Sequence, residues 1–102
     1  MQKNTIIHKL KKLKLEYEKE GIVIEGIFGS VARDESTENS DIDILMHARP
    51  SFAQKYGYRA IERLNTIKHE LQQQLGAPVD LASSSGMGAT AKKFIIDQAI
   101  YL

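Results

Sequence analysis

Three aspartates stand where the surrounding pattern gives them no packing role. Asp41 and Asp43 flank Ile42 at the start of the run "DIDILMH", and Asp80 lies between Val79 and Leu81 in "PVDLAS". Aspartate is depleted in strands. Side chains at i and i+2 of a strand leave from one face, with Cα atoms roughly 6.5–7 Å apart. Asp41 and Asp43 are therefore expected to aim two carboxylates at one point. A bare pair repels itself and is costly to desolvate. A divalent cation removes both problems, because Mg²⁺ takes carboxylate oxygens and keeps positions for water and phosphate. A solvated or turn-forming pair is the ordinary explanation of an isolated D-x-D, so the context has to decide.

The context is Gly29-Ser30, which closes the apolar stretch "IVIEGIFGS" eleven residues before Ser40-Asp41 completes a polar loop. Glycine there permits a tight turn and close approach of a ligand to the backbone. Exposed amides at such a turn form an anion nest, to which the Ser30 hydroxyl adds a donor. A phosphate cradle joined by a short loop to metal-binding carboxylates suggests a metal–nucleoside triphosphate. The chain has neither G-x-x-x-x-G-K-[ST] nor G-x-G-x-x-G, so it carries no P-loop and no Rossmann fingerprint. Two-metal phosphoryl chemistry commonly needs a further carboxylate, and Asp80 is the candidate.

Positioning these residues requires a sheet. Residues 3 to 19 read as an amphipathic helix, with Ile6, Ile7, Leu10, Leu13 and Tyr17 on one stripe and Gly21 ending it. "IVIEGIFGS", "DIDILMH" and "PVDLAS" read as strands, and residues 31 to 40 as a polar loop with room for one helical turn. Ala60, Leu64, Ile67, Leu71 and Leu75 recur at helical spacing, while Gly57 weakens the start of that segment. A last helix is expected over residues 90 to 100 with Ala91, Phe94, Ile95 and Ala99 inward. "SSSGMG" reads as a flexible connection or a lid. The order is α-β-β-α-β-α: a small mixed sheet flanked by helices, of α/β (α+β) class. Residues 1 to 102 are expected to form a single domain.

Bulk properties narrow the function. The 102 residues carry a net charge of +1, with 42% hydrophobic and 26% charged residues, as in ordinary globular proteins. That balance gives no general attraction to nucleic acid or an anionic membrane. Lys9, Lys11, Lys12 and Lys14 read as a solvated helix face. Cysteine is absent, which excludes disulfides and thiolate metal sites. No apolar run approaches the ~18–20 residues of a membrane span, and the N-terminus lacks a secretory h-region. A cytoplasmic location is expected. His8, His47 and His69 share no metal-ligand spacing, and only His47 falls near the proposed site. Phe52, Tyr56 and Tyr58 are expected to pack at the start of the long helix.

The stretch "GSVARDESTENSDIDI" resembles the G-S-x-A-R-G-(x)5-S-D-x-D signature of the DNA polymerase beta-like nucleotidyltransferases. More narrowly, the chain resembles their minimal nucleotidyltransferases. The resemblance implies that fold, with Gly29 and Ser30 binding triphosphate and Asp41, Asp43 and Asp80 holding Mg²⁺, two ions in all. Asp80 would also serve as, or assist, the general base. Arg33 matches the signature's arginine and either contacts phosphate or pairs with Asp34 or Glu35. Ser40 belongs to the nucleotide-binding stretch and is suited to shaping the loop by local hydrogen bonds. Asp34 departs from the signature, which usually has glycine there.

The resemblance further implies transfer of NMP, AMP from ATP in the first instance, to a hydroxyl on a partner. The family pairs such antitoxins with a helical HEPN-type toxin, whose tyrosine is the acceptor. Two alternatives remain: an antitoxin that neutralises its partner by binding alone, and a nucleotidyltransferase acting on a small molecule, for which a homo-oligomer would build the pocket.

Overall fold

The computed structural model describes residues 2–35, 37 and 40–102. Helix α1, Lys3–Glu18, buries Ile6, Leu10 and Tyr17, the stripe expected from the 3.6-residue period. Its lysine face is solvated: Lys9, Lys11 and Lys12 are exposed, and the Lys9 ammonium donates to the Gln74 carbonyl at 3.2 Å. Gly21, at φ 95°, then turns the chain into strand β1, Ile22–Phe28. A Cβ at Gly21 would fall 2.8 Å from the Phe52 amide nitrogen, so this turn tolerates no side chain.

Strand β1 runs into a single helical turn, α2, Gly29–Ala32, and β2 follows at Ile42–Ala48. Beyond β2 come α3, Pro50–Tyr56, a 3-10 turn at Gly57–Arg59, and α4, Ala60–Leu75. The long helical pattern is therefore broken at Gly57, whose φ of 56° no regular helix accommodates. Gly76, at φ 72°, caps α4 in the left-handed conformation. Strand β3 is Val79–Ser83, and the serine–glycine stretch holds a second 3-10 turn, Ser84–Gly86. Helix α5, Ala89–Gln98, leads to a two-residue strand, β4, Ile100–Tyr101.

The four strands are ordered β3-β2-β1-β4. β1 and β2 are antiparallel, β2 and β3 parallel, so the sheet is mixed, as expected. A bulge at Glu25 lets Ile24 and Ile27, three residues apart, face Met46 and Ile44 on one side of the sheet. That side carries the core with Ile6, Leu10, Ile67, Leu71 and Phe52 from the helices. By alternation, Phe28, Asp43 and Asp80 belong to the other side.

The C-terminus differs from expectation. The last helix stops at Gln98 and buries no residue fully; Ala91 is exposed and Phe94 is 64% exposed. Ile95 and Ala99 are half-buried. Instead Ile100 and Leu102 pack against the core, and β4 pairs with Gly26 and Ile27 of β1. A strand of two residues has no period to read. Tyr58, expected to pack with Phe52 and Tyr56, is 91% exposed, whereas the other two rings lie 5.0 Å apart. Among the described residues, no helix is long and apolar enough to cross a membrane.

Candidate active site

The end of β1 and the starts of β2 and β3 meet at one end of the sheet. Phe28 is opposite Asp43, and Asp43 is opposite Asp80. Gly29 follows at φ 74°. A Cβ built there would fall 2.1 Å from the Asp43 Oδ2, so the carboxylate lies directly against the glycine backbone. Glycine is required twice at this point, by its conformation and by its neighbour. Asp41 stands one residue before β2 and is exposed, as is Asp80, while Asp43 is half-buried.

The electrostatics follow from that placement. Burial raises the Asp43 carboxyl above the usual carboxylate range, and the negative charges of Asp80 and Asp41 raise it further; Arg33 opposes them. Asp43 thus feels both of its expected partners. Among the described residues, however, no three His, Cys, Asp or Glu groups close into a ready-made metal cluster. The donor set is all carboxylate oxygen, the chemistry a hard divalent cation takes, and such a cation would relieve the crowding.

The turn after β1 is tightly bonded. Arg33 and Glu35 amides donate to the Gly29 and Ser30 carbonyls at 3.1 and 2.8 Å. The Arg33 guanidinium donates through Nε to Glu35 at 3.0 Å and through Nη1 to the Gln98 Oε1 at 2.9 Å. Of the two acids considered for Arg33, the structure therefore selects Glu35. Asp34 instead pairs with Lys3 at 2.8 Å and has φ 59°. Ser40 shapes the loop locally, its Oγ accepting the Thr37 amide at 2.8 Å. Ser36, Glu38 and Asn39 of this loop lie outside the described residues.

Gln98 and Lys3 are the neighbours that sequence reasoning missed, lying 65 and 31 positions from the residues they hold. No local spacing signals such pairs. His47 moves out of the site: it is four residues beyond Asp43, roughly 13 Å along the strand, and pairs with Glu25 at 3.4 Å. An open cleft of about 270 Å³ that Asp80 also borders lies between β3 and α4, lined by Met46, Ile61, Leu64, Lys68 and Leu81.

A mixed sheet with this element order and a glycine turn against an acidic strand is what the resemblance to the nucleotidyltransferases implies, and the comparisons with known proteins agree. Residues 6–102 match the family described as "Nucleotidyltransferase domain", and the chain belongs to that family. Two Methanocaldococcus jannaschii proteins are similar to it. "Putative protein adenylyltransferase MJ0435" is 34% identical over 82 residues, covering 80% of this chain and 81% of the relative. "Putative protein adenylyltransferase MJ1217" is 38% identical over 101 residues, covering 95% and 91%. The fold matches a solved "putative minimal nucleotidyltransferase" with a TM-score of 0.78 and 28% identity, over 100% of this chain and 97% of that one. A toxin–antitoxin crystal structure with AMP-PNP matches with a TM-score of 0.60 and 18% identity, over 99% and 72%, which shows a shared fold.

Proposed function

We propose that this nucleotidyltransferase transfers AMP from ATP to a hydroxyl on a partner protein, in the first instance a tyrosine of a helical HEPN-type toxin, and so acts as an antitoxin. The observation that carries this reading is the contact between Gly29 and Asp43, with Asp80 opposite. It sets the glycine turn against one carboxylate with a second on the adjoining strand, which supports a single site for phosphate and metal. The relatives named as protein adenylyltransferases support a protein acceptor.

In this reading Gly29 and Ser30 hold the triphosphate, Arg33 braces the nucleotide-binding turn through Glu35 and Gln98, and Ser40 keeps the loop in shape. Asp41, Asp43 and Asp80 would hold Mg²⁺, which supplies charge neutralisation at the phosphates when bound. The acceptor hydroxyl reaches Asp80, which is exposed on β3. Asp80 takes its proton as the oxygen bonds to the α-phosphorus, and pyrophosphate leaves toward Gly29 and Ser30. The acceptor comes from another protein, and residues 1 to 102 act as one domain, in the cytoplasm.

A second reading is neutralisation by binding alone, with the nucleotide site idle. Exposed apolar side chains, Tyr58, Ile61 and Phe94 among them, offer a partner a surface and support it. One experiment separates the two: purified protein, Mg²⁺, labelled ATP and the candidate toxin. Transfer of label that Asp41→Ala and Asp43→Ala abolish supports the enzyme. Neutralisation that persists unchanged in both variants would sink catalysis as the mechanism.

A further inference from the structure

Asp34 is the one residue other than glycine with a positive φ among the described residues. Aspartate is among the few side chains that tolerate this conformation. The backbone also fixes where its carboxylate starts: the Asp34 amide donates to the Val31 carbonyl at 3.2 Å, within the turn that Gly29 opens. An acid is thereby held at the end of the one-turn helix whose beginning is the phosphate turn. Asp34 follows Gly29 by five residues across this single turn, roughly 7–8 Å at the helical rise and within a Debye length of ~10 Å at 0.1 M salt.

The neighbouring arginine does not offset it. Arg33 is engaged by Glu35 and Gln98. Arg33, Asp34 and Glu35 together carry one net negative charge. Lys3 cancels that charge from the first residue of α1, with its ammonium 2.8 Å from Asp34 Oδ2. The lysine is held in reach because Ile6, one turn further along α1, is fully buried. Lys3 is also the more enclosed partner, its side chain 27% exposed against 68% for Asp34.

We infer that Lys3 is a positioning residue for the nucleotide site, neutralising Asp34 beside the phosphate turn so that a triphosphate can bind. The inference rests on the nucleotide reading proposed above. It assigns the N-terminal helix a part in nucleotide affinity, through an acid that touches no substrate. The effect is electrostatic, so it weakens with salt.

The test is the dissociation constant of MgATP, measured by titration calorimetry at low salt, for the full chain and three variants. Lys3→Ala weakens binding about two- to fivefold, an effect that shrinks on adding 0.5 M salt. Asp34→Asn binds at least as tightly as the wild type. The double variant Lys3→Ala/Asp34→Asn, which restores the loop's charge balance, returns to wild-type affinity. A merely structural pair behaves differently: Lys3→Ala lowers the melting temperature and leaves the dissociation constant where it was. That result, or a double variant as weak as Lys3→Ala alone, overturns the inference. A wild-type chain that binds no MgATP overturns the nucleotide reading itself, and this inference with it.

Discussion

Asp43 is a cost to the fold and, in the proposed function, the centre of the site. It is half-buried against Gly29, and the charges of Asp80 and Asp41 hold its carboxyl above the usual range. Ionised Asp43 therefore weakens the folded state at neutral pH. Asp43→Asn is expected to raise the melting temperature at pH 7 by a degree or more, read by calorimetry. In the transfer assay the same substitution lowers the rate by roughly 10²-fold or more, the scale of losing one preorganised charge-stabilising group. Stability gained where activity is lost is the expected signature of a functional carboxylate. A variant that is both less stable and fully active would remove Asp43 from the site.

At the scale of elements, one polar cluster joins the end of α1 to α3 and α4. The Arg63 guanidinium donates to both Glu20 carboxylate oxygens at 2.7 Å and reaches Glu70 at 3.2 Å. The Tyr56 and Tyr17 hydroxyls donate to Glu20 and Glu70 in turn. Arg63 and Glu20 are only 22% and 17% exposed. Arg63→Ala is expected to cost about 1–2 kcal/mol in urea unfolding, below the 3–5 of a fully buried pair because water still reaches both groups.

The same cluster sets an acid limit. The Arg63 hydrogen bonds hold the Glu20 carboxyl below its usual range, and the Tyr56 hydrogen bond lowers it further, against the cost of burial. A depressed folded-state pKa gives stability that is present above the unfolded value, about 4.3, and lost as pH falls through the folded one. Thermal scans from pH 7 down to pH 3 should show this loss, and Glu20→Gln should flatten it while lowering stability at pH 7.

For the whole molecule, β4 closes the sheet on the side away from β3. Gly26 makes this possible, since a Cβ there would sit 2.1 Å from the Ile100 carbonyl oxygen. Gly26→Ala is expected to displace β4 and to cost about 1–3 kcal/mol, the range for overpacking. Faster amide exchange at Leu102, whose N–H donates to the Glu25 carbonyl at 3.0 Å, would accompany it. An unchanged urea midpoint would show that β4 contributes nothing.

The sequence by itself determined the elements with a sustained period and the residues that break it. The stripe of α1, the Ile67–Leu71–Leu75 face of α4 and three strands were legible, because periodicity is local information. The aspartates and Gly29 were legible for the opposite reason: each is a residue its own segment does not call for. Only the tertiary structure decided which strands are neighbours, and so that Asp80 lies opposite Asp43 and that residues 100–101 leave the helix to pair with β1. It alone brought Lys3 to Asp34 and Gln98 to Arg33. Such contacts depend on how the helices seat on the sheet, a matter of register and shape across the core, which no spacing along the chain records.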